Sequence, residues 1–182
     1  MDYNDYEKIL SQLELPFLET NQSYLHQIFE SLEQEFGLKK NSQQIFIDLG
    51  AGNGQVVIFS ALNYGLKSFG IEINPTLVEE AKKSIKLLKE GKKYKKELLR
   101  KIKIVHGDFY IQNLGNYDFI YIYSLPTMQK YLRHVFQTVK NGAIIISHMY
   151  PFKNFKECLD LKLKLDHEGN DIDAATYFYK KI

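Results

Sequence analysis

Apolar and polar residues follow two periodicities along this chain, and the changes between them mark the predicted elements. Short apolar runs predict parallel strands at 45–49, 68–73, 102–106, 117–123 and 143–148. Helical spacing of apolar positions predicts helices at 3–14, 21–36, 54–64, from 75 onward, and 126–140. Strict alternation from Cys158 to Leu165, a Gly169–Asp171 break and a run at 174–181 predict a closing antiparallel hairpin.

This order of elements predicts an α/β protein with a Rossmann-like, doubly wound sheet. The sheet is expected to be mostly parallel and to end in a C-terminal antiparallel β-hairpin, whereas a dehydrogenase would continue with parallel units. The 182 residues suit one domain. We expect residues 1–40 to form a helical segment that covers a ligand site, and residues 41–182 to form the domain that carries the site.

The composition narrows the setting of the protein. No apolar run approaches the ~20 residues that a membrane-spanning helix needs. The acidic start, Met1–Asp5, lacks the basic and apolar regions of a signal peptide. The single cysteine excludes an internal disulfide, and neither it nor the five scattered histidines form a metal-binding pattern. We therefore expect a cytoplasmic protein without a metal, acting as a monomer.

The most informative run covers residues 45–55 and reads IFIDLGAGNGQ. A buried strand ends at Asp48–Leu49, three glycines at positions 50, 52 and 54 follow, and a helix begins after them. Glycines allow sharp turns and close approach of a ligand to the main chain, and the helix start offers unpaired N–H groups. The alternative is a tight glycine turn without a ligand.

Two details of this loop favour S-adenosylmethionine over a dinucleotide. The dinucleotide fingerprint is G-x-G-x-x-G, and here the third glycine, Gly54, comes one position early. Asp48 would repel a pyrophosphate but suits a cationic amino group. S-adenosylmethionine carries an ammonium, a carboxylate and a sulfonium, and no phosphate.

Acidic residues also end the next two predicted strands. Glu72 is placed to accept hydrogen bonds from two ribose hydroxyls, although dehydrogenases have an acid there too. Asp108 can accept from the adenine amino group, with Ile73 or Phe109 beside the ring. The alternatives are a solvated acid at position 72 and an ordinary Gly-Asp turn at 107–108.

These motifs resemble those of a known superfamily. Residues 48–54 (DLGAGNG), 70–72 (GIE) and 107–109 (GDF) are similar to motifs of class I, seven-β-strand S-adenosylmethionine-dependent methyltransferases. The resemblance covers about residues 16–182. It implies the following cofactor-binding set within the domain: Asp48, Gly50, Ala51, Gly52, Asn53, Gln55, Glu72, Ile73, Asp108 and Phe109.

A narrower resemblance points to the non-SET protein lysine methyltransferases. Residues 15–20 (LPFLET), 54–57 (GQVV) and 121–126 (YIYSLP) are similar to segments of the archaeal, ATP-synthase c-subunit and telomeric-silencing-type histone H3 enzymes. In those enzymes the segment before the domain folds over the cofactor. By this resemblance Phe17, Glu19 and Thr20 contact the methionine end.

The acceptor is expected to meet the methyl group at the end of the fourth strand. The chain offers Tyr121, Tyr123 and Pro126 there, and we assign Tyr123 and Pro126 as catalytic-site residues. Aromatic walls accept alkylammonium groups, and an apolar channel lowers the pKa of a lysine. Core packing is the alternative for the two tyrosines.

The favoured acceptor is therefore the ε-amine of a lysine in a protein substrate. Methyltransferases of base amines usually carry an Asn/Asp-Pro-Pro-aromatic motif here, which Tyr123-Ser124-Leu125-Pro126 does not match. An RNA or small-molecule methyltransferase on the same fold remains the alternative. A non-catalytic S-adenosylmethionine-binding module is the third possibility.

Charge is distributed unevenly along the chain. The net charge is +2, but residues 1–35 are strongly acidic, whereas residues 82–103 hold eleven basic and two acidic residues. This basic run is most simply a solvated face. It could also dock nucleic acid or an acidic protein, since such contacts need only positive charge.

Overall fold

The structure is a computed structural model that describes residues 19–167 and 174–182. The predicted helix at 3–14, Phe17 and the Gly169–Asp171 break lie outside the described residues. Among the described residues, no helix is both long and apolar enough to cross a membrane.

A seven-stranded sheet in the order β3-β2-β1-β4-β5-β7-β6 organises the fold. Strands β1 to β5 pair in parallel, and β7 runs antiparallel to both β5 and β6. The strands are β1 Ile45–Leu49, β2 Lys67–Glu72, β3 Ile102–His106, β4 Phe119–Tyr123, β5 Ile144–His148, β6 Leu159–Asp166 and β7 Ala175–Lys181. The predicted class, a mostly parallel doubly wound sheet with a C-terminal antiparallel hairpin, is confirmed.

Six α-helices and one 3₁₀ helix are described. They are α1 Gln22–Glu35, α2 Gln55–Tyr64, α3 Pro75–Glu90, α4 Lys96–Leu99, the 3₁₀ helix Phe109–Ile111, α5 Pro126–Gln129 and α6 Arg133–Gln137. Asn21 caps α1 by accepting from the Ser23 N–H. Asn74 caps α3 in the same way, with Pro75 in the first turn.

One helix prediction is wrong, and one helix was missed. The single helix expected at 126–140 is two short helices, because Tyr131 and Leu132 donate to carbonyls three residues back. Such bonds belong to 3₁₀ turns and break the α-helical ladder. Helix α4 lies within the basic run and was not predicted. The strand expected at 117–123 begins only at Phe119.

The sheet buries both faces. On one face α1 covers a cluster that includes Phe46, Tyr121 and Phe178. On the other face Ile47, Ile120 and their neighbours pack against α6. Alternation along β1 places Asp48 on the same face as Phe46, so this carboxyl group points toward the α1 side of the sheet.

Candidate active site

The loop between β1 and α2 is shaped by its glycines. Gly50, Gly52 and Gly54 have φ values of 83°, 53° and 80°, a region that side chains disfavour. The Gly50 and Ala51 N–H groups both donate to the Ile71 carbonyl, which holds the loop against the end of β2. Gly54 is the N-cap of α2 and has no side chain to cap it, so the N–H groups of the first turn beyond Gln55 face the loop without a side-chain acceptor from Gly54.

Glu72, at the end of β2, also holds the loop through a hydrogen bond of its side chain. Its Oε2 accepts from the Gly52 N–H and its Oε1 accepts from the Asn74 N–H, both at 2.8 Å. The side chain is 7 % exposed. Each carboxylate oxygen has two lone pairs. Glu72 therefore keeps one acceptor site on each oxygen for a pair of ligand hydroxyls.

Asp48 has a buried carboxyl group, and no described residue donates a hydrogen bond to it. It is 3 % exposed and lies opposite Gly70 of β2 and Tyr121 of β4. Burial, and secondarily the negative charge of Glu72, raise the pKa of Asp48 well above its usual range. A buried carboxyl group without a donor suits a cationic group of a ligand.

The segment before α1 contacts this loop and the neighbouring strand. The Asn53 side-chain amide donates to Glu19 Oε1 at 2.5 Å, and the Asn53 oxygen accepts from the Gln55 N–H. The hydroxyls of Thr20 and Tyr121 are hydrogen-bonded at 2.9 Å. Because Tyr121 lies beside Asp48, these bonds place Glu19 and Thr20 over the loop and the end of β4.

The residues predicted to flank adenine lie at the ends of β2 and β3. A Cβ atom added to Gly50 would lie 3.8 Å from Cε1 of Phe109, which places that ring beside the loop. Ile73 is 49 % exposed, an apolar side chain that a ring can cover. Asp108 Oδ1 accepts from the Tyr110 N–H and caps the 3₁₀ helix. Its Oδ2 has no protein donor among the described residues.

The end of β4 is aromatic. Tyr123 is half-buried, and its ring meets Tyr150 edge-to-face at 6.2 Å and His148 at 5.8 Å between centroids. Burial raises the pKa of Tyr123, which keeps its hydroxyl neutral. Pro126 is exposed and begins α5. Tyr121 is buried in the core, the alternative considered for it from the sequence.

Sequence reasoning missed His148. His148 is the last residue of β5, in the same way that Asp48 and Glu72 lie near the ends of their own strands. It pairs in register with Tyr123. The signal was available, because the polar pair Ser147-His148 follows the apolar run Ile144–Ile146 and marks the end of a strand at the ligand-binding edge of the sheet.

Comparison with known proteins is consistent with this geometry. The model of the family described as ANTKMT methyltransferase domain matches residues 48–158. A protein-lysine N-methyltransferase of Saccharolobus islandicus (strain REY15A) is 22 % identical over 143 residues, which are 78 % of this chain and 81 % of that protein.

Solved structures share the fold. An RNA methyltransferase from Salinibacter ruber, in complex with S-adenosyl-L-homocysteine, superposes with a TM-score of 0.72 at 22 % identity, covering 91 % of this chain and 94 % of that one. The B. subtilis tRNA methyltransferase TrmK superposes with a TM-score of 0.64 at 15 % identity, covering 90 % and 67 %.

Proposed function

Because this chain belongs to the ANTKMT methyltransferase domain family and uses S-adenosylmethionine as its cofactor, we propose that it methylates the ε-amine of lysine in a protein substrate. When bound, the cofactor supplies an electrophilic methyl group: the amine lone pair forms the N–C bond while the C–S bond breaks and its electrons stay on sulfur. The residues of the chain bind the two reactants, align them and exclude water.

The proposed binding mode follows from the hydrogen-bonding capacity of the site. Asp48 would hold the ammonium of the methionine moiety, since it is buried and has no protein donor among the described residues. Glu72 would accept from the two ribose hydroxyls through its free lone pairs. Glu19 and Thr20 would close over the methionine end, together with Phe17, which lies outside the described residues.

The remaining loop residues and the adenine side complete the proposed site. The backbones of Gly50, Ala51 and Gly52 would lie against the cofactor, with Asn53 and Gln55 holding the loop shape. Ile73, Asp108 and Phe109 would enclose the adenine, with the free Asp108 oxygen accepting from its amino group.

The observation that carries the lysine assignment is the neutral aromatic surface at the end of β4. Tyr123 and Tyr150 form an edge-to-face pair there, and the adjacent His148 has a pKa lowered to about 3 by burial and by His167. Lysine has an ordinary pKa of about 10.4 and must lose its proton before it reacts. An apolar wall and a cationic sulfonium both favour the neutral amine. Pro126 would border this acceptor channel.

The basic run at 82–103 is the feature that favours the RNA alternative. All its basic residues except Lys101 are exposed. Part of the charge is compensated within α3, where Lys82 pairs with Glu79 and Lys86 with Glu90. The run still has a large excess of basic over acidic residues, so the face keeps a positive potential for an acidic protein or a nucleic acid.

Methyl transfer distinguishes these acceptors directly. We expect isotope-labelled S-adenosylmethionine to label a mixed protein fraction and not an equal mass of total RNA. Mass spectrometry of the labelled protein should locate the added methyl groups on lysine side chains. The physical reason is that the β4 end lacks the planar-amine clamp of base methyltransferases and presents an alkylammonium-binding wall instead.

The control for this experiment is the Glu72→Ala variant, which keeps the acceptor surface and lacks the ribose carboxylate. Label in the protein fraction with the wild type and none with this variant would support the proposal. Label confined to RNA, or protein label on residues other than lysine, would contradict it.

Cofactor affinity should depend on pH through Asp48. Burial raises the pKa of this carboxyl group in the free protein, whereas the cofactor ammonium favours the carboxylate. Where the free carboxyl group is protonated, binding releases a proton, so affinity should fall, by up to about tenfold per pH unit, as the pH drops through the raised pKa. Calorimetry across a pH series measures this. Asp48→Asn should bind weakly with a flat profile, and an equally flat profile in the wild type would refute the assignment.

We also infer that residues 1–40 act as the cover of the cofactor site and residues 41–182 as its base. The bonds from Glu19 to Asn53 and from Thr20 to Tyr121 support this division. We propose that the protein acts as a monomer in the cytoplasm, where a lone cysteine stays reduced.

A further inference from the structure

Four polar side chains form a continuous hydrogen-bonded chain under α1, which we call the histidine chain. It runs from Gln27 through His167 and Thr176 to His148. Gln27 Oε1 lies 2.6 Å from His167 Nδ1. Thr176 Oγ1 lies 2.8 Å from His167 Nε2 and 2.8 Å from His148 Nδ1. Three of its members, His148, His167 and Thr176, are buried.

The sheet register brings this chain to the acceptor side of the site. His148 pairs with Thr176 of β7 on one side and with Tyr123 of β4 on the other. His167 directly follows β6, and its N–H donates to the Ala174 carbonyl. The His148 end of the histidine chain therefore lies beside Tyr123, the residue predicted to line the acceptor channel.

The donors and acceptors allow a single direction along the histidine chain once Gln27 Oε1 is the acceptor. His167 then donates from Nδ1, and its Nε2 lone pair accepts from the Thr176 hydroxyl. The Thr176 oxygen in turn accepts from His148 Nδ1–H. Neutral His148 consequently carries its lone pair on Nε2, at the end that has no hydrogen-bond partner among the described residues.

His148 is 3 % exposed, and its Nε2 atom has no hydrogen-bond partner among the described residues. A buried acceptor that lacks a protein donor suits a donor group of a ligand. The histidine chain thus presents the Nε2 lone pair of His148 at the β4–β5 end of the sheet.

The surroundings keep this imidazole neutral. Titratable groups face it from three sides: Tyr24 of α1, Tyr121 and Tyr123 of β4, and His167. None of them is a carboxylate that would favour a cationic ring. Burial and the neighbouring histidine lower the pKa of His148 to about 3. A cationic ring would also repel the sulfonium, so a neutral one suits this position.

We propose that Nε2 of His148 accepts a hydrogen bond from the substrate amine and thereby aims the amine lone pair at the methyl group. This rests on the proposed lysine acceptor. A carboxylate at this position would stabilise the ammonium and hold its proton, whereas a neutral imidazole accepts from the neutral amine. The ring is too weak a base to take the proton of the lysine ammonium. That proton leaves to solvent before the amine docks.

Two substitutions separate the free nitrogen from the rest of the ring. His148→Asn retains a polar group near Nδ1 for Thr176 and removes the acceptor at Nε2. His148→Gln places its amide near the Nε2 position. We expect His148→Asn to lower kcat by about 10- to 100-fold, since small misplacements of reacting atoms cost this much. Its affinity for S-adenosylmethionine should be unchanged, and His148→Gln should recover part of kcat.

The pH profile distinguishes a hydrogen-bond acceptor from a general base or a purely structural residue. The loss in His148→Asn should be constant between about pH 6.5 and 9, whereas loss of a general base is relieved as the amine deprotonates in solution. A structural role would lower the melting temperature and leave kcat of the folded enzyme unchanged.

A spectroscopic measurement on the wild type tests the proposal even where a variant fails to fold. With the S-adenosyl-L-homocysteine complex and n-butylamine as the probe, at about pH 10, where part of an alkylamine is neutral, we expect the ¹⁵N resonance of His148 Nε2 to move upfield. The resonance should report a lone pair at Nε2 before the probe is added.

The outcomes separate this inference from the proposed function. Methyllysine formation at the wild-type rate by His148→Asn, or an Nε2 resonance that n-butylamine leaves unmoved, would overturn the role of His148 alone. Failure of the wild type to form methyllysine would overturn the lysine acceptor and, with it, this inference. Reduced kcat together with a shifted Nε2 resonance supports both.

Discussion

Glu72→Gln is expected to reduce the affinity for S-adenosylmethionine at least about 100-fold, which corresponds to roughly 3 kcal/mol. The isosteric amide offers one oxygen, but two backbone N–H groups point at the side chain, from Gly52 and from Asn74. One of them would face the NH₂ group of the glutamine. The glycine loop or the Asn74 backbone then loses a hydrogen bond, and the ribose loses one of the two acceptor oxygens. Calorimetry measures the combined loss of affinity.

The matched control is Glu80→Gln, which makes the same charge change on the exposed side of α3. Its affinity should stay within about threefold of the wild type. Circular dichroism of both variants confirms that the sheet is intact. Wild-type affinity in Glu72→Gln would show that the ribose binds elsewhere and that the pocket has been assigned to the wrong edge of the sheet.

Gly70→Ala should destabilise the fold by about 1–3 kcal/mol, the usual cost of overpacking a tight core. A Cβ atom on Gly70 would lie 2.6 Å from Cβ of Ala51, 2.8 Å from Cδ1 of Ile104 and 2.9 Å from Cγ2 of Val57. All three neighbours are anchored in the loop, β3 or α2. Relief requires the loop to move away from β2, so cofactor affinity should fall together with the denaturant midpoint.

Gly107→Ala controls for the loss of a glycine near the same edge. A Cβ atom there would meet its nearest neighbours at 3.8–4.0 Å, an ordinary contact distance. Chemical denaturation should therefore give nearly the wild-type midpoint. Equal midpoints for the two variants would mean that the loop and α2 yield easily, contrary to the packing between β2 and α2.

The sequence allowed the sheet to be predicted and a cofactor site to be proposed because both depend on local signals. Apolar runs define β1 and β5, and the spacing of Gly50, Gly52 and Gly54 defines a loop whose backbone geometry few other residues adopt. Acidic residues then stand at the ends of successive predicted strands, and parallel pairing places these strand ends on one edge of the sheet.

The features that were not predicted depend on contacts between distant segments. The break at Lys130–Leu132 follows 3₁₀ hydrogen bonds that apolar periodicity does not reveal. The bond between Thr20 and Tyr121 joins residues 101 positions apart. The histidine chain likewise needs the antiparallel placement of β7 beside β5, and a one-residue change in that register would turn Thr176 to the opposite face.

The histidine chain also has an evolutionary consequence. Its members come from α1, β5, β7 and the residue after β6, and each one fixes the proton position of the next. Loss of His167 alone would leave the buried Thr176 hydroxyl and the partly buried Gln27 amide without this hydrogen-bond partner. Among homologues these positions should therefore change together, with apolar residues replacing the whole set wherever His148 is absent.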